Sequence, residues 1–139
     1  MSFDINWVAG LVAGVAAMIP GSIIYAPGVL GKRWMKEIGT TPEKMKASGA
    51  SPTESVIKMF SASLLNGLVA SMVVSTAGAS TFSDAFILTM ALGWFWVSAS
   101  LMIVFFENRS RTWLGISVLS HILTAGVIGV VLGLFVAHS

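Results

Sequence analysis

Apolar residues run almost unbroken through four stretches, Ile5–Leu30, Val56–Thr76, Ala85–Phe106 and Trp113–Ala137, and polar residues collect in the gaps between them. Each stretch reaches the ~20 residues, at ~1.5 Å rise apiece, that cross a hydrocarbon core about 30 Å thick. No water is available there to satisfy backbone N–H and C=O groups, so apolar runs of this length form helices. None of the four offers the polar face of a soluble amphipathic helix. The pattern predicts an all-α fold, an integral membrane four-helix bundle. It forms a single domain over residues 1–139, with helices over about 5–30, 52–76, 84–106 and 112–137.

Local signals refine the boundaries. Ser51-Pro52-Thr53-Glu54 combines an N-cap serine, a proline at the first helical position and a glutamate placed to close a capping box, so the second helix begins near Pro52. Thr41-Pro42-Glu43 reads the same way and opens a short helix ending near Gly49. Across Val29–Ile38, Leu30, Trp34 and Ile38 recur every four residues with Lys32, Arg33 and Lys36 between them. That is the pattern of an interfacial helix lying against anionic headgroups. In the first span, Pro20-Gly21 predicts a bend and Pro27-Gly28 its end.

Composition agrees: 55% of residues are hydrophobic and 10% charged, against roughly 25% charged in a soluble domain. The formal charge of +2 is too small, and too confined to loops, for nucleic-acid binding. With no cysteine there is no disulfide framework and no thiolate metal or redox site. The start Met1-Ser2-Phe3-Asp4 lacks the basic segment of a cleavable signal, so the first span is expected to stay.

Charge also predicts orientation. The eight Lys and Arg residues fall in the gap between the first two spans (Lys32, Arg33, Lys36, Lys44, Lys46), just inside the second (Lys58), and between the last two (Arg109, Arg111). Basic residues in short loops mark the cytoplasmic side. Both termini are therefore expected outside, with a bacterial inner membrane as the default location. Trp7, Phe82, Phe86 and Trp113 fall where aromatic belts sit at the headgroups.

Helices associate in lipid by close backbone approach and interhelical hydrogen bonds. Small residues recur every four positions in the first span (Ala9, Ala13, Ala17, Gly21), the second (Ser63, Gly67, Ser71, Ser75) and the fourth (Ser117, Ala125, Gly129, Gly133, Ala137). The third span, with Trp94, Phe95 and Trp96 near its middle, is expected at the periphery or against a partner.

Apart from serines, threonines and Lys58 at the end of the second span, the polar side chains within the spans that stand out are Tyr25, Asn66 and His121. Such groups are costly in hydrocarbon and face the protein interior. A neutral His121 bonded to Tyr25, to Asn66 or to a serine is the plainest account. A proton-relay or ligand-binding role and an axial bond to a tetrapyrrole are the alternatives, and Trp94 and Trp96 join His121 as candidate cofactor-binding residues. His138 lies about 25 Å farther along the same helix, too far to share a site. No carboxylate lies deep in any span, and neither a metal-ligand cluster nor a nucleophile–base arrangement is visible, so no enzyme, metal or cofactor is predicted.

Two stretches carry a family resemblance. One is Asn6-Trp7 followed by Tyr25-Ala26-Pro27 and Gly31-Lys32-Arg33-Trp34, and the other is Phe105-Phe106-Glu107-Asn108-Arg109-Ser110 leading into the last span. With these the chain resembles the bacterial and fungal membrane family called domain of unknown function 1761, which implies four spans over nearly the whole length and no assigned activity. The expected function is non-catalytic: action through helix association, as a homo-oligomer or an accessory subunit of a larger membrane complex. A small carrier or channel using Asn66, His121 and Tyr25 is the alternative, and a pigment- or quinone-binding subunit a further one. The lipid bilayer is the expected partner throughout.

Overall fold

The structure, a computed structural model, describes residues 4–49 and 51–138. All its regular elements are helices: α1 (Trp7–Ala16), α2 (Met18–Ile24), α3 (Gly31–Glu37), α4 (Pro42–Ala47), α5 (Pro52–Thr76), α6 (Phe82–Glu107) and α7 (Arg111–Ala137). Four segments among the described residues are long and apolar enough to cross a membrane: α1 with α2 over 18 residues, and α5, α6 and α7 over 24, 26 and 27.

The first span is shorter than its apolar run and breaks earlier than Pro20. α1 ends at Ala16 and α2 begins at Met18, with Ala17 between them. Pro20 has no N–H to give the carbonyl of Ala16 and its ring crowds that carbonyl, so the distortion falls on the turn before the proline. The span closes at Tyr25, two residues ahead of Pro27, as the bias of a pre-proline residue against helical geometry favours. The caps follow the side chains. Ser51, Thr41 and Ser110 accept from the N–H groups of Glu54, Lys44 and Trp113. The capping box itself forms elsewhere, at Thr81 and Asp84, whose side chains each bond the other's backbone N–H. Glu54 pairs instead with Lys58 one turn on.

Small residues fill the interior and large apolar ones face outward, the reverse of a soluble bundle. Ala9, Ala13, Ala17, Ala70, Val74, Ala85, Ile128 and Leu132 form the core, while Val8, Leu11, Val15, Ile19 and Ile23 lie exposed on the other side of α1 and α2. Lipid solvates those side chains as well as protein does, so selection for burial falls on residues that let backbones approach.

α5 lies antiparallel along α1 at backbone contact. A Cβ on Gly67 would fall 2.3 Å from the carbonyl oxygen of Gly10 and 2.4 Å from the nitrogen of Gly14. Ser63 and Ser71 donate to the carbonyls of Gly14 and Asn6 at 2.7 and 2.8 Å. α6 and α7 form the second, more extensive antiparallel pair. A Cβ on Gly93 would come within 2.5 Å of that of Ala125, and Phe86 and Phe82 lie over Gly129 and Gly133. Those two phenylalanines, stacked at 6.1 Å, thus fill notches in α7.

The third span therefore does have a small-residue face, contrary to the sequence reading: Ala85, Thr89, Gly93, Val97 and Ser100 are all buried. Its bulky Trp94, Phe95 and Trp96 are exposed.

The pairs meet through α1 and α2 against α7, whereas α5 touches α6 and α7 only sparsely. In cross-section the order is α5, α1, α7, α6, a clamp whose open side lies between α5 and α6. The turn at 77–81 ties those two helices together at the end carrying the termini. The basic residues gather at the opposite end, where Ser110 donates to Glu37 of α3 and Arg109 pairs with Glu107 at 2.8 Å.

Candidate functional site

The open side of the clamp is a groove of about 500 Å³, walled by α5 and α6 and floored by α7. α5 contributes Leu65, Asn66 and Val69; α6 contributes Thr89, Leu92 and Trp96; α7 contributes His121, Thr124 and Ile128. No Lys, Arg, Asp or Glu lines it. The size falls within the range of small-molecule pockets, roughly 300–1,000 Å³, and so does the chemistry, an apolar wall with a few polar groups.

The register of α5 explains why the groove exists. Ser63, Gly67 and Ser71 occupy one face and let that face close on α1. Leu65, Asn66 and Val69 occupy the other and hold α6 away. His121 sits in the small-residue stripe of α7 between Ser117 and Ala125. From Ala125 onward the stripe packs on α6, and at His121 the ring instead meets Trp96. The two rings are nearly parallel, 6.3 Å between centroids with 25° between planes.

Among the described residues, neither the Asn66 amide nor the His121 imidazole has a hydrogen-bond partner. Nor is either sealed away: Asn66 is exposed and His121 half-buried. Both open into the groove. Along their helices Asn66 lies about 21 Å from Pro52 and His121 about 15 Å from Arg111, well inside the hydrocarbon depth. Thr89 differs, because its hydroxyl donates to the Ala85 carbonyl at 2.8 Å.

The other sequence candidates fall elsewhere. Tyr25 does not reach His121; it caps α2 and meets Trp34 of α3 edge-on, 5.3 Å between centroids. There the chain folds back so tightly that a Cβ on Gly31 would fall 2.1 Å from the Tyr25 carbonyl oxygen. Trp94 and Trp96 separate as well: Trp96 lines the groove and Trp94 faces outward. Thr89 and Thr124 also line the groove, although nothing in their residue type marks them out in the sequence. The four-residue recurrence of Ala85, Thr89 and Gly93 was the available signal for the first of them. Among the described residues no group of three His, Cys, Asp or Glu could hold a metal ion.

A second, small cavity of about 140 Å³ lies near the opposite end, lined in part by Asn6, Ser71 and Ser75. Its polar atoms are drawn into the α1–α5 seam, where the Ser71 hydroxyl donates to the Asn6 carbonyl and the Asn6 side chain accepts from Ala9.

A family model described as "Protein of unknown function (DUF1761)" matches residues 8–133, and so covers every spanning helix. The chain belongs to the DUF1761 family. The match begins one residue into α1 and ends within the last turns of α7, so the groove, lined from Ala62 to Ile128, lies wholly inside the family's segment. Neither the curated proteins nor the solved structures contain a match to this DUF1761 chain.

Proposed function

We propose that this DUF1761 chain is a non-catalytic integral membrane protein that takes a lipid-soluble small molecule from the bilayer into the α5–α6–α7 groove, as the binding step of a small carrier. One observation carries the reading: two polar side chains deep in the spans, Asn66 and His121, open into one uncharged groove without a hydrogen-bond partner among the described residues. An unpaired amide in hydrocarbon costs several kcal/mol, so an occupant that bonds it gains that difference. The small-residue ladders of the first, second and fourth spans are largely taken up within the chain, which weakens the case for action through helix association alone.

The test is purification in a mild detergent, organic extraction and mass analysis. The wild type is expected to retain a lipophilic molecule that Val69→Trp, which fills the groove from the α5 wall, loses. Equal retention in both proteins overturns the reading.

Association, as a homo-oligomer or an accessory subunit, is the second reading. The outward face of α6 favours it, where Trp94, Phe95, Phe105 and Phe106 are exposed, the last to 90%. A particle mass of one chain after detergent correction, with no co-purifying protein, sinks it. For orientation we propose the basic end in the cytoplasm and both termini outside, in a bacterial inner membrane. A C-terminal tag reached only from the cytoplasmic side inverts that placement.

A further inference from the structure

We infer that the groove takes a flat, uncharged ring bearing carbonyl or hydroxyl oxygens and an apolar tail, a ligand of the quinone and quinol class. The inference rests on the groove being a ligand site and adds the chemistry of the ligand.

Charge comes first. With no ionic side chain in the lining, a phosphate, carboxylate or ammonium entering it leaves an unpaired charge in hydrocarbon, which is far costlier than an unpaired dipole. The polar part of the ligand is therefore neutral. Donor and acceptor counts come next. The Asn66 amide offers two N–H donors and one acceptor, and a neutral imidazole offers one of each. Ring carbonyls accept from these donors, and after reduction the corresponding hydroxyls donate to these acceptors, so both forms are accommodated without a change of charge.

Depth separates this class from other neutral amphiphiles. Simple long-chain alcohols and glycerides keep their hydroxyls at the hydrated surface. The two groove side chains lie about 15–21 Å along their helices from the basic end, on helices rising ~1.5 Å per residue. A ring whose oxygens are only weakly hydrated reaches that depth at little cost. Shape agrees with this. Trp96, stacked on His121 with 25° between their planes and half exposed to the groove, offers an aromatic face against which a further ring stacks at the offset that aromatic pairs prefer. The gap between α5 and α6, with exposed Leu65 on one lip and exposed Trp96 on the other, leaves the tail in lipid.

The experiment uses the full chain in nanodiscs of neutral phosphatidylcholine, with a decyl-substituted 1,4-benzoquinone as probe and 1-decanol as a competitor sharing only the tail. Tryptophan fluorescence is followed, since a bound quinone quenches a stacked indole. The wild type is expected to show a saturable quench above the linear background of partitioning. Trp96→Phe should lose most of its amplitude, and Asn66→Leu and His121→Leu should each raise Kd about tenfold. Decanol at equal concentration should not displace the probe. Thermal melting and gel filtration establish that each variant is folded, and Val69→Trp provides a blocked groove that leaves all three groups in place.

If decanol displaces the quinone at equal concentration, and Asn66→Leu and His121→Leu weaken both alike, the ring inference is wrong while the groove remains a ligand site. If no saturable quench occurs, and the wild type retains no more extractable lipophile than Val69→Trp, both the ring and the ligand site are overturned. A saturable quench indifferent to Val69→Trp, Asn66→Leu and His121→Leu places the quinone elsewhere and overturns the inference.

Discussion

The two faces of α5 are built from the same helix and meet opposite fates. On one, Ser63, Gly67 and Ser71 bring the backbone against α1 so closely that no side-chain atom fits between. On the other, Leu65, Asn66 and Val69 stand off from α6 and leave about 500 Å³ unfilled. Gly67 and Asn66 are neighbours in the chain, yet one is a point of backbone contact and the other an amide without a partner. In lipid, an apolar side chain gains little by leaving the solvent, so helix pairs close only where backbones can touch. A face of ordinary side chains is free to remain open, and openness is where a ligand site can be kept.

The sharpest way to break this contrast is substitution at Gly67. Gly67→Leu places carbon where the Gly10 and Gly14 backbone already stands, and the seam cannot close. The expected loss is about 3 kcal/mol or more, at the upper end of overpacking effects, read as a collapse of the monodisperse gel-filtration peak and of thermal stability. The same leucine one residue earlier, Asn66→Leu, should leave stability unchanged or raise it by up to about 1 kcal/mol, because an unpaired amide is replaced by a group lipid accepts. A large destabilisation by Asn66→Leu would mean that the amide is bonded inside the protein and that the groove is not open there.

Gly93→Ala tests the second tight seam. Its methyl meets that of Ala125, which sits on a helix and yields only if α6 and α7 separate, so about 1–3 kcal/mol is expected. A smaller loss, about 1 kcal/mol, is expected for Ser71→Ala, which removes the bond to the Asn6 carbonyl. Both are measured by thermal melting in detergent.

The smallest effect lies outside the spans. The Thr41 side chain, and then its own backbone N–H, hold the Glu43 carboxyl below its ordinary value. A depressed acid contributes stability that is complete above the unfolded value, near pH 4.3, and is lost as pH falls through the lower folded value. Exchange of the α4 amides should quicken across that window, and Thr41→Val should move the Glu43 titration upward.

Much of the architecture is legible in the chain. The apolar runs, the proline-led caps at Ser51 and Thr41 and the small-residue stripes on the first, second and fourth spans all reflect short-range rules, and each has its counterpart in α4, α5, α1 and α7. The stripe on α6 was hidden because Trp94, Phe95 and Trp96 dominate the composition of that span, although alternate faces of a helix are independent. Pro20 announced a bend but not that it would fall at Ala17, since the distorted carbonyl lies four residues before the proline. The resemblance to the DUF1761 family is matched by the family model over residues 8–133.

The candidate site was only half legible. Tyr25, Asn66 and His121 stand out in the sequence for one reason, that hydrocarbon penalises polar groups, and nothing in that rule says which of them meet. Hydropathy and spacing determine how many times the chain crosses and which faces can touch, because those depend on neighbours within a turn or two. Which helices stay apart depends on the order of packing around the bundle. That order, α5, α1, α7, α6, emerges only when all the tight seams are formed at once. It sends Tyr25 to Trp34, sets His121 on Trp96, and leaves Asn66 facing the groove.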